Sequence, residues 1–374
     1  MKAKKSTRAI LLIGAAETCP DLEYASGFRA TDPVVLLTRG GRRDLVVPDL
    51  ELGRARRQAR RCTVHTPGGL GVPRAEQRRV AGWALGLLRL RGVRAVTVSP
   101  WFPHGVAARL AAGGVRVHVE DTLFQGRQVK KARELEHLAE SQAAAVAATR
   151  AAIEMIREAR IGRDGVLRHG GAVLTSELVR RRITMVLMER DCSGKSIIVA
   201  GGAQSADPHE VGSGPLRAHT PIVLDIFPQH NGHGYWGDIT RTVVRGEAPP
   251  ELRRMHAAVA QAQELALKAL RPGVDAADIH RAVCGLFEQQ GFATREVNGT
   301  MEGFFHGTGH GVGLQIHEAP TIGRVDMRLR RGNVVTVEPG LYYPDIGGVR
   351  IEDTVVVTAT GWRHLARCEK EFEL

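Results

Sequence analysis

The chain opens with short apolar runs set between polar stretches of helical period. Residues 9–13, 34–37, 45–47, 93–98 and 115–119 are rich in Val, Ile and Leu and predict buried strands. Between them, residues 51–61, 75–90 and 106–112 space their apolar positions as helices do. Strands interleaved with helices predict an α/β domain. Residues 21–28 (DLEYASGF) are expected on a turn between two of the strands. The pattern changes near residue 127. Residues 128–160 are rich in Ala and Glu, with no Gly or Pro among them, and predict a long helix that starts a second domain. A helix over 176–190 follows, then β-branched runs at 197–199, 221–227 and 239–244. Helices over about 250–270 and 275–290 come next, and strands return at 333–337 and 354–358. Two helices then strands, twice over, predict two similar halves around a common sheet. The expected division is an N-terminal domain over 1–126 and a second domain over 127–374.

Composition narrows the partners. The formal net charge is +12, but the excess is mostly arginine spread along the chain. Its densest run, residues 54–61 (RARRQARR), reads as the solvated face of a helix. Aromatic residues are only 5%, too few for base-stacking platforms, so nucleic acid is not an expected partner. No apolar run approaches the roughly 20 residues of a membrane span. The five cysteines are scattered without a CxxC, which fits neither a disulfide framework nor a zinc ribbon. They fit a reducing compartment, and a cytoplasmic protein is expected. Residues 1–16 have the outline of a signal peptide, a basic start followed by AILLIGAA. The apolar run is short and flows into domain-like sequence, so a first buried strand is the preferred reading.

Several catalytic motifs fail. Gly194-Lys195-Ser196 resembles the end of a phosphate loop, but Glu189 stands where the first glycine is needed and a strand-like run follows. His317-Glu318 begins HExxH, but Thr321 stands at its last position. There is no GxSxG. Three other segments gather carboxylates and histidines beside glycines: residues 225–242 (DIFPQHNGHGYWGDITRT), 306–320 (HGTGHGVGLQIHEAP) and 337–358. Asp225 ends one apolar run and Asp238 opens another beyond a turn, which predicts a hairpin with the two aspartates side by side across the ladder. Glu338 and Glu352 lie at strand ends as well. Carboxylates buried together repel, so four of them ask for a shared cation. Oxygen ligands with one imidazole, here His310, suit a pair of divalent metals.

These segments resemble the pita-bread metallopeptidases: methionine aminopeptidase, aminopeptidase P and prolidase. The shared pattern is Asp, D-x-T-R-T, H-x-x-G-H-G-x-G-L-x-x-H-E, E-P-G and G-x-R-x-E-D-T, and it covers roughly residues 127–358. Residues 21–28 are similar to a Y-x-x-G-F segment in the N-terminal domain of the creatinase and prolidase branch. The resemblance implies an α/β N-terminal domain and an α+β pita-bread catalytic domain with pseudo-twofold halves. It implies two divalent ions, manganese first, with cobalt or zinc also accepted. Asp225 would bind one ion, Asp238 and Glu352 would bridge both, and His310 and Glu338 would hold the other. A bridging hydroxide would be the nucleophile, with Glu338 handling its proton. His209, His306 and His317 match histidines that position substrate or stabilise the tetrahedral intermediate. Thr240 and Arg350 would orient the ligating carboxylates. The implied activity is hydrolysis of Xaa-Pro bonds in peptides or dipeptides, by a homodimer. The alternatives are a peptidase of the same fold without proline specificity, a creatinase-like amidine hydrolase, and a non-catalytic peptide-binding module. Two departures bear on the substrate. Phe227 stands where the best-known members carry glycine, and the stretch from Asp225 to Asp238 is longer than theirs.

Overall fold

The apolar runs of the first third assemble into a sheet whose two faces are both covered. A computed structural model describes residues 8–374, and the chain divides into two compact units between Arg127 and Gln128. In the first unit, β1 (Ile10–Gly14), β2 (Val34–Arg39), β3 (Arg42–Val46), β4 (Thr63–His65), β5 (Ala95–Val98) and β6 (Arg116–Val119) lie in the order β4-β3-β2-β1-β5-β6. The β1–β2 and β2–β3 pairs are antiparallel and the outer pairs parallel. Helices α1 (Pro20–Ser26) and α2 (Leu52–Gln58) cover Leu12, Leu36 and Leu45 on one face. Helices α3 (Val80–Leu90) and α4 (His104–Ala112) cover Leu11, Val35 and Leu37 on the other. Burial on both faces is why these strands read as unbroken apolar runs rather than alternating ones.

Three expectations for this unit are corrected. Within residues 21–28, residues 21–26 form a helix rather than a turn. Pro20 occupies its first turn, where no backbone N–H is needed, and Gly27 closes it in the left-handed conformation at φ 66°. The helix expected over 51–61 stops at Gln58, because Ala59 is extended. Its arginines are not all solvated: Arg54 stacks over the Phe28 ring at 4.5 Å and bonds Glu51. The helix expected over 75–90 begins only at Val80, after a short 3₁₀ turn at Arg74–Glu76. Of the N-terminal segment read against a signal peptide, residues 1–7 lie outside the described residues, and β1 occupies the apolar run.

The second unit starts with α5 (Ala132–Arg157), whose first turn is closed by the Glu134 carboxylate accepting from Lys131 N–H. It is shorter than the expected 128–160, since Arg160–Ile161 is already the first strand of a small sheet, β7 (Arg160–Ile161), β8 (Leu167–His169) and β9 (Ala172–Val173). Next come α6 (Ser176–Met188), β10 (Cys192–Gly194), β11 (Ile198–Gly201), β12 (Ile222–Ile226), β13 (Pro228–His230) and β14 (Ile239–Val243). Helices α5 and α6 pack on the sheet β11-β12-β14. The order then repeats with α7 (Pro250–Ala269), α8 (Ala276–Gln289) and a hairpin, β15 (Arg295–Val297) and β16 (Thr300–Glu302). Strands β17 (Gly309–Gly311), β18 (Glu318–Ile322), β19 (Val334–Val337), β20 (Gly340–Tyr343), β21 (Gly347–Arg350), β22 (Asp353–Val357) and β23 (Trp362–His364) complete it. Helices α7 and α8 pack against the second set of strands through their own core. Among the described residues no helix is long and apolar enough to cross a membrane.

The two halves meet where β14 runs beside the β21–β22 corner. Arg350 N donates to Thr242 Oγ1, Thr242 Oγ1 donates to Arg350 O, and Glu352 N donates to Thr240 O, each at 3.0 Å. Beneath this seam lies Arg241, 1% exposed. It donates to Glu352 O at 2.6 Å, Thr240 O at 2.9 Å, Asp353 Oδ1 at 2.7 Å and the carbonyls of Cys368 and Glu369. Against the burial that would raise it, the Arg241 and Lys370 cations hold the Asp353 carboxyl below its ordinary value. Breaking a buried ion pair from one side costs about 3–5 kcal/mol. Lys370 Nζ still reaches Asp353 Oδ2 at 3.0 Å, so Arg241→Met is expected near the lower end of that range in urea unfolding. A change under about 1 kcal/mol would show that the seam does not depend on this pair.

Candidate metal centre

Strand ends bring the acidic residues to one wall of a cleft of about 890 Å³. Asp225 sits opposite Thr240 in the β12–β14 ladder, and Asp238 immediately precedes β14. The two aspartates are therefore diagonal neighbours rather than directly opposed as the hairpin reading expected. Both still reach the cleft, because residues two apart on a strand share a face. On the other half, Val337 pairs with Asp353, so Glu338 and Glu352 flank the end of the β19–β22 ladder. His310 lies on β17. A Cβ added at its neighbour Gly309 would lie 2.0 Å from Thr336 O, so only glycine lets β17 approach β19 this closely.

The donor atoms converge. His310 Nε2 is 3.2 Å from Glu338 Oε1 and 3.6 Å from Asp238 Oδ2. Ligand atoms of Asp238, His310 and Glu352 all lie within 4.8 Å of one another. His310 Nδ1 contacts Gly311 O at 3.2 Å, and a carbonyl can only accept, so the ring proton is on Nδ1. Burial lowers the His310 pKa, which disfavours the protonated ring. Its Nε2 lone pair thus points at two carboxylates, an arrangement of acceptors that needs a cation or a proton among them. Burial, then the neighbouring carboxylates, raises Asp238 and Glu352 well above the ordinary carboxylate value. Glu338 is raised as well, first by burial. Asp225 Oδ1 and Glu352 Oε1 are buried with no hydrogen-bond partner. Four carboxylates, one neutral imidazole and two unsatisfied oxygens fit divalent cations of the Mn²⁺, Co²⁺ and Zn²⁺ type.

The surrounding side chains fix this geometry. Thr240 Oγ1 donates to Glu352 Oε2 at 2.7 Å, and Arg350 Nη2 to Asp225 Oδ2 at 2.6 Å. Three more supports carried no sequence signal. Thr336 Oγ1 accepts from His310 N at 2.9 Å and donates to Glu338 Oε1 at 3.0 Å. Gln142 on α5 takes both backbone groups of Asp238 at 2.8 Å. Tyr342 links Arg350 Nη1, at 2.8 Å, to His306 Nε2, at 2.9 Å. Nothing about a Thr, Gln or Tyr inside an apolar run distinguishes a partner to a carboxylate from core filling.

His209, His306 and His317 all line the cleft. His306 is tied on both sides. Nδ1–H donates to Gly307 O at 2.8 Å, so Nε2 must accept from the Tyr342 hydroxyl. Burial pushes its pKa down to about 4. His317 stands edge-on to His310, ring centres 4.3 Å apart, and its pKa is lowered first by burial. Phe227 and Phe305 form apolar parts of the wall.

Residues 136–359 match metallopeptidase family M24. The chain belongs to this family. It is 28% identical over 360 residues to an Xaa-Pro dipeptidase of Pyrococcus horikoshii, covering 94% of this chain and 92% of that one. An Xaa-Pro dipeptidase of Pyrococcus furiosus is 33% identical over 256 residues, 68% of this chain and 67% of the relative. The crystal structure of the P. horikoshii prolidase superposes with a TM-score of 0.81 at 26% identity, over 99% of this chain and 96% of that one. An X-Pro aminopeptidase of Thermotoga maritima shares the fold, with a TM-score of 0.80 at 23% identity, over 98% of each chain. This M24 member is a peptidase with a pita-bread unit and an additional N-terminal domain, and family membership implies divalent metal ions.

Two outcomes follow for stability. Metal bound only by the folded state stabilises by RT ln(1 + [L]/Kd), about 2.7 kcal/mol at a hundredfold excess over Kd. Chelation is expected to lower the melting temperature and Mn²⁺ or Co²⁺ to restore it; identical melting curves would exclude a metal site. The pH dependence has a definite sign. Carboxyls raised in the metal-free fold bind protons more tightly there than when unfolded, so the chelated protein gains stability as pH falls through the raised values. Metal must displace those protons, so the gap between loaded and chelated melting temperatures should narrow toward acid pH. A gap that widens on acidification would contradict this cluster as the metal-binding group.

Proposed function

We propose that this chain hydrolyses Xaa-Pro bonds, dipeptides foremost, with two divalent ions held by Asp225, Asp238, His310, Glu338 and Glu352. The observation that carries the reading is the convergence of these five side chains, two oxygens unsatisfied, beside three histidines in one open cleft. Asp225 would hold one ion, His310 and Glu338 would hold the other, and Asp238 and Glu352 would serve both. When bound, such a pair lowers the pKa of a shared water and polarises the scissile carbonyl.

The remaining work falls to the chain itself. Glu338, steadied by Thr336, takes the proton of the attacking water and returns it to the leaving nitrogen. Arg350 and Thr240 keep Asp225 and Glu352 turned toward the cleft. His306 has both ring nitrogens engaged, so its part is to wall the pocket through the Tyr342–Arg350 chain. His317 makes the hydrogen-bond donation to the developing oxyanion. A prolyl nitrogen carries no N–H, so recognition at the scissile bond must read ring shape. Phe227, Phe305 and His209 offer the surface for it. The relatives named Xaa-Pro dipeptidase support both the proline and the short substrate. Manganese is the expected metal. Five free cysteines support a cytoplasmic setting.

Two measurements test this. Asp238→Ala is expected to lose metal and activity together. His317→Ala should keep most of its metal and lose turnover by roughly 10²–10⁴-fold, the scale of a general acid–base or oxyanion group. A metal-free His317→Ala would overturn its assignment. On substrates, metal-loaded enzyme should cleave Ala-Pro much faster than Ala-Ala, and Ala-Pro faster than Ala-Pro-Ala. Equal rates on Ala-Pro and Ala-Ala would remove proline as the determinant and leave the peptidase intact. Preference for the tripeptide would make it an aminopeptidase.

A further inference from the structure

A second group of potential metal ligands lies outside the cleft, where the tip between Asp225 and Asp238 meets α5. His137 and Glu140 lie three residues apart on α5, hence on one face of it. His230 and His233 lie on the tip. Ligand atoms of His137, Glu140 and His233 fall within 4.8 Å of one another. His233 Nε2 is 3.3 Å from Glu140 Oε2, and His230 Nε2 is 3.5 Å from Glu140 Oε1. The rings are stacked, His230 on His233 at 3.9 Å and His137 on His233 at 4.2 Å between centres. His137 makes no hydrogen bond through its ring among the described residues.

We propose that His137, Glu140 and His233 form a further divalent transition-metal site, with His230 beside it as the nearest candidate for a fourth ligand. Nitrogen-to-oxygen distances of 3.3 and 3.5 Å are longer than the 2.7–2.9 Å of a charge-assisted hydrogen bond. The His233–Glu140 distance matches the edge of a tetrahedron about a zinc-type ion, about 3.3 Å when each ligand lies near 2.05 Å. Glu140 is 60% exposed, and each of its oxygens faces one of the two tip histidines. Two imidazoles and one carboxylate, open to solvent, suit Zn²⁺. The site has two costs. The stacked rings of His137 and His233 hold their in-plane lone pairs nearly parallel, so binding one ion must first tilt them apart. Tyr235 N–H donates to His233 Nδ1 at 3.2 Å and Gly232 N–H to His230 Nδ1 at 3.0 Å. Ligation by Nε2 of His233 moves that ring's proton to Nδ1 and gives up the Tyr235 bond, a long one. Ligation by His230 would likewise release the Gly232 bond.

The test compares tag-free wild type with His233→Ala and Glu140→Gln, each stripped with chelator and titrated with Zn²⁺ by calorimetry, with bound metal measured after dialysis. Neither residue belongs to the cleft, so the cleft's metals are common to all three proteins and the difference isolates the tip. Each variant is expected to bind one equivalent fewer than wild type. Loaded with Co²⁺, wild type should show the intense visible absorption of tetrahedral cobalt, and both variants should lose it. Equal stoichiometry in wild type and either variant, or an unchanged cobalt spectrum, overturns the site and leaves a hydrogen-bonded histidine–glutamate cluster. If His233→Ala fails to fold, Glu140→Gln, changed at a mostly exposed side chain, decides alone.

Discussion

Carboxylates crowded into one cleft wall are the constraint on which the second unit depends. Asp238 and Glu352 are nearly inaccessible, and burial first, then the neighbouring carboxylates (Glu352 on Asp238, Glu338 on Glu352), raises the pKa of each. Removing a carboxylate from water costs several kcal/mol unless a counter-charge compensates it. The protein supplies part of that compensation. Arg350 neutralises Asp225, Thr240 donates to Glu352, and Thr336 donates to Glu338. It does not supply all of it, since Asp225 Oδ1 and Glu352 Oε1 accept nothing. Unsatisfied oxygens on carboxylates already crowded by other carboxylates suit the cation proposed for this cleft.

That constraint explains why the halves are joined where they are. Asp225 and Asp238 belong to the α5–α6 half, and His310, Glu338 and Glu352 to the α7–α8 half. Repulsion across the cleft would push the halves apart. The seam resists it with bonds between the Thr242 hydroxyl and the Arg350 backbone and a backbone bond from Glu352 to Thr240. Arg241 strengthens it from below by tying Thr240 O, Glu352 O and Asp353 together. The alternation along residues 238–242 has a mechanical sense. Thr240 and Thr242 reach the cleft wall and the seam, and Arg241 points the opposite way into the core.

What could be read from the sequence follows from how each feature is encoded. Strands buried on both faces announce themselves as apolar runs, and α5 announces itself by unbroken helical period. Helix α1 did not, because seven residues give too few turns for periodicity to register, and its signals are the end marks Pro20 and Gly27. Asp225, Asp238, Glu338 and Glu352 are conspicuous as charges at the ends of apolar runs, and His310 as an imidazole in a glycine-rich stretch. Their register was not legible: the diagonal offset of Asp225 and Asp238 is set by the pairing of Asp225 with Thr240, which depends on the whole ladder. Gln142 was invisible for another reason. Its partner is the backbone of Asp238, 96 residues away, and backbone leaves no mark on sequence.

The longer stretch between Asp225 and Asp238 need not loosen the aspartates, because its extra residues are strapped on three sides. Strand β13 pairs with β10, matching Cys192 to His230 and Gly194 to Pro228. Trp236 N–H donates to Gly313 O at 3.0 Å and its indole to Leu314 O at 3.3 Å, which fastens the returning arm to the segment carrying His310 and His317. Ser141 Oγ on α5 donates to Tyr235 O at 2.9 Å. A Cβ at Gly237 would lie 2.6 Å from Ser141 O, so the arm could not lie this close to α5 with a larger residue there. One stretch of α5, residues 137–142, thus faces the tip with His137 and Glu140 and grips the chain at Tyr235 and Asp238 with Ser141 and Gln142. Phe227, directly after β12, lines the cleft itself, so its effect falls on the shape of the substrate wall.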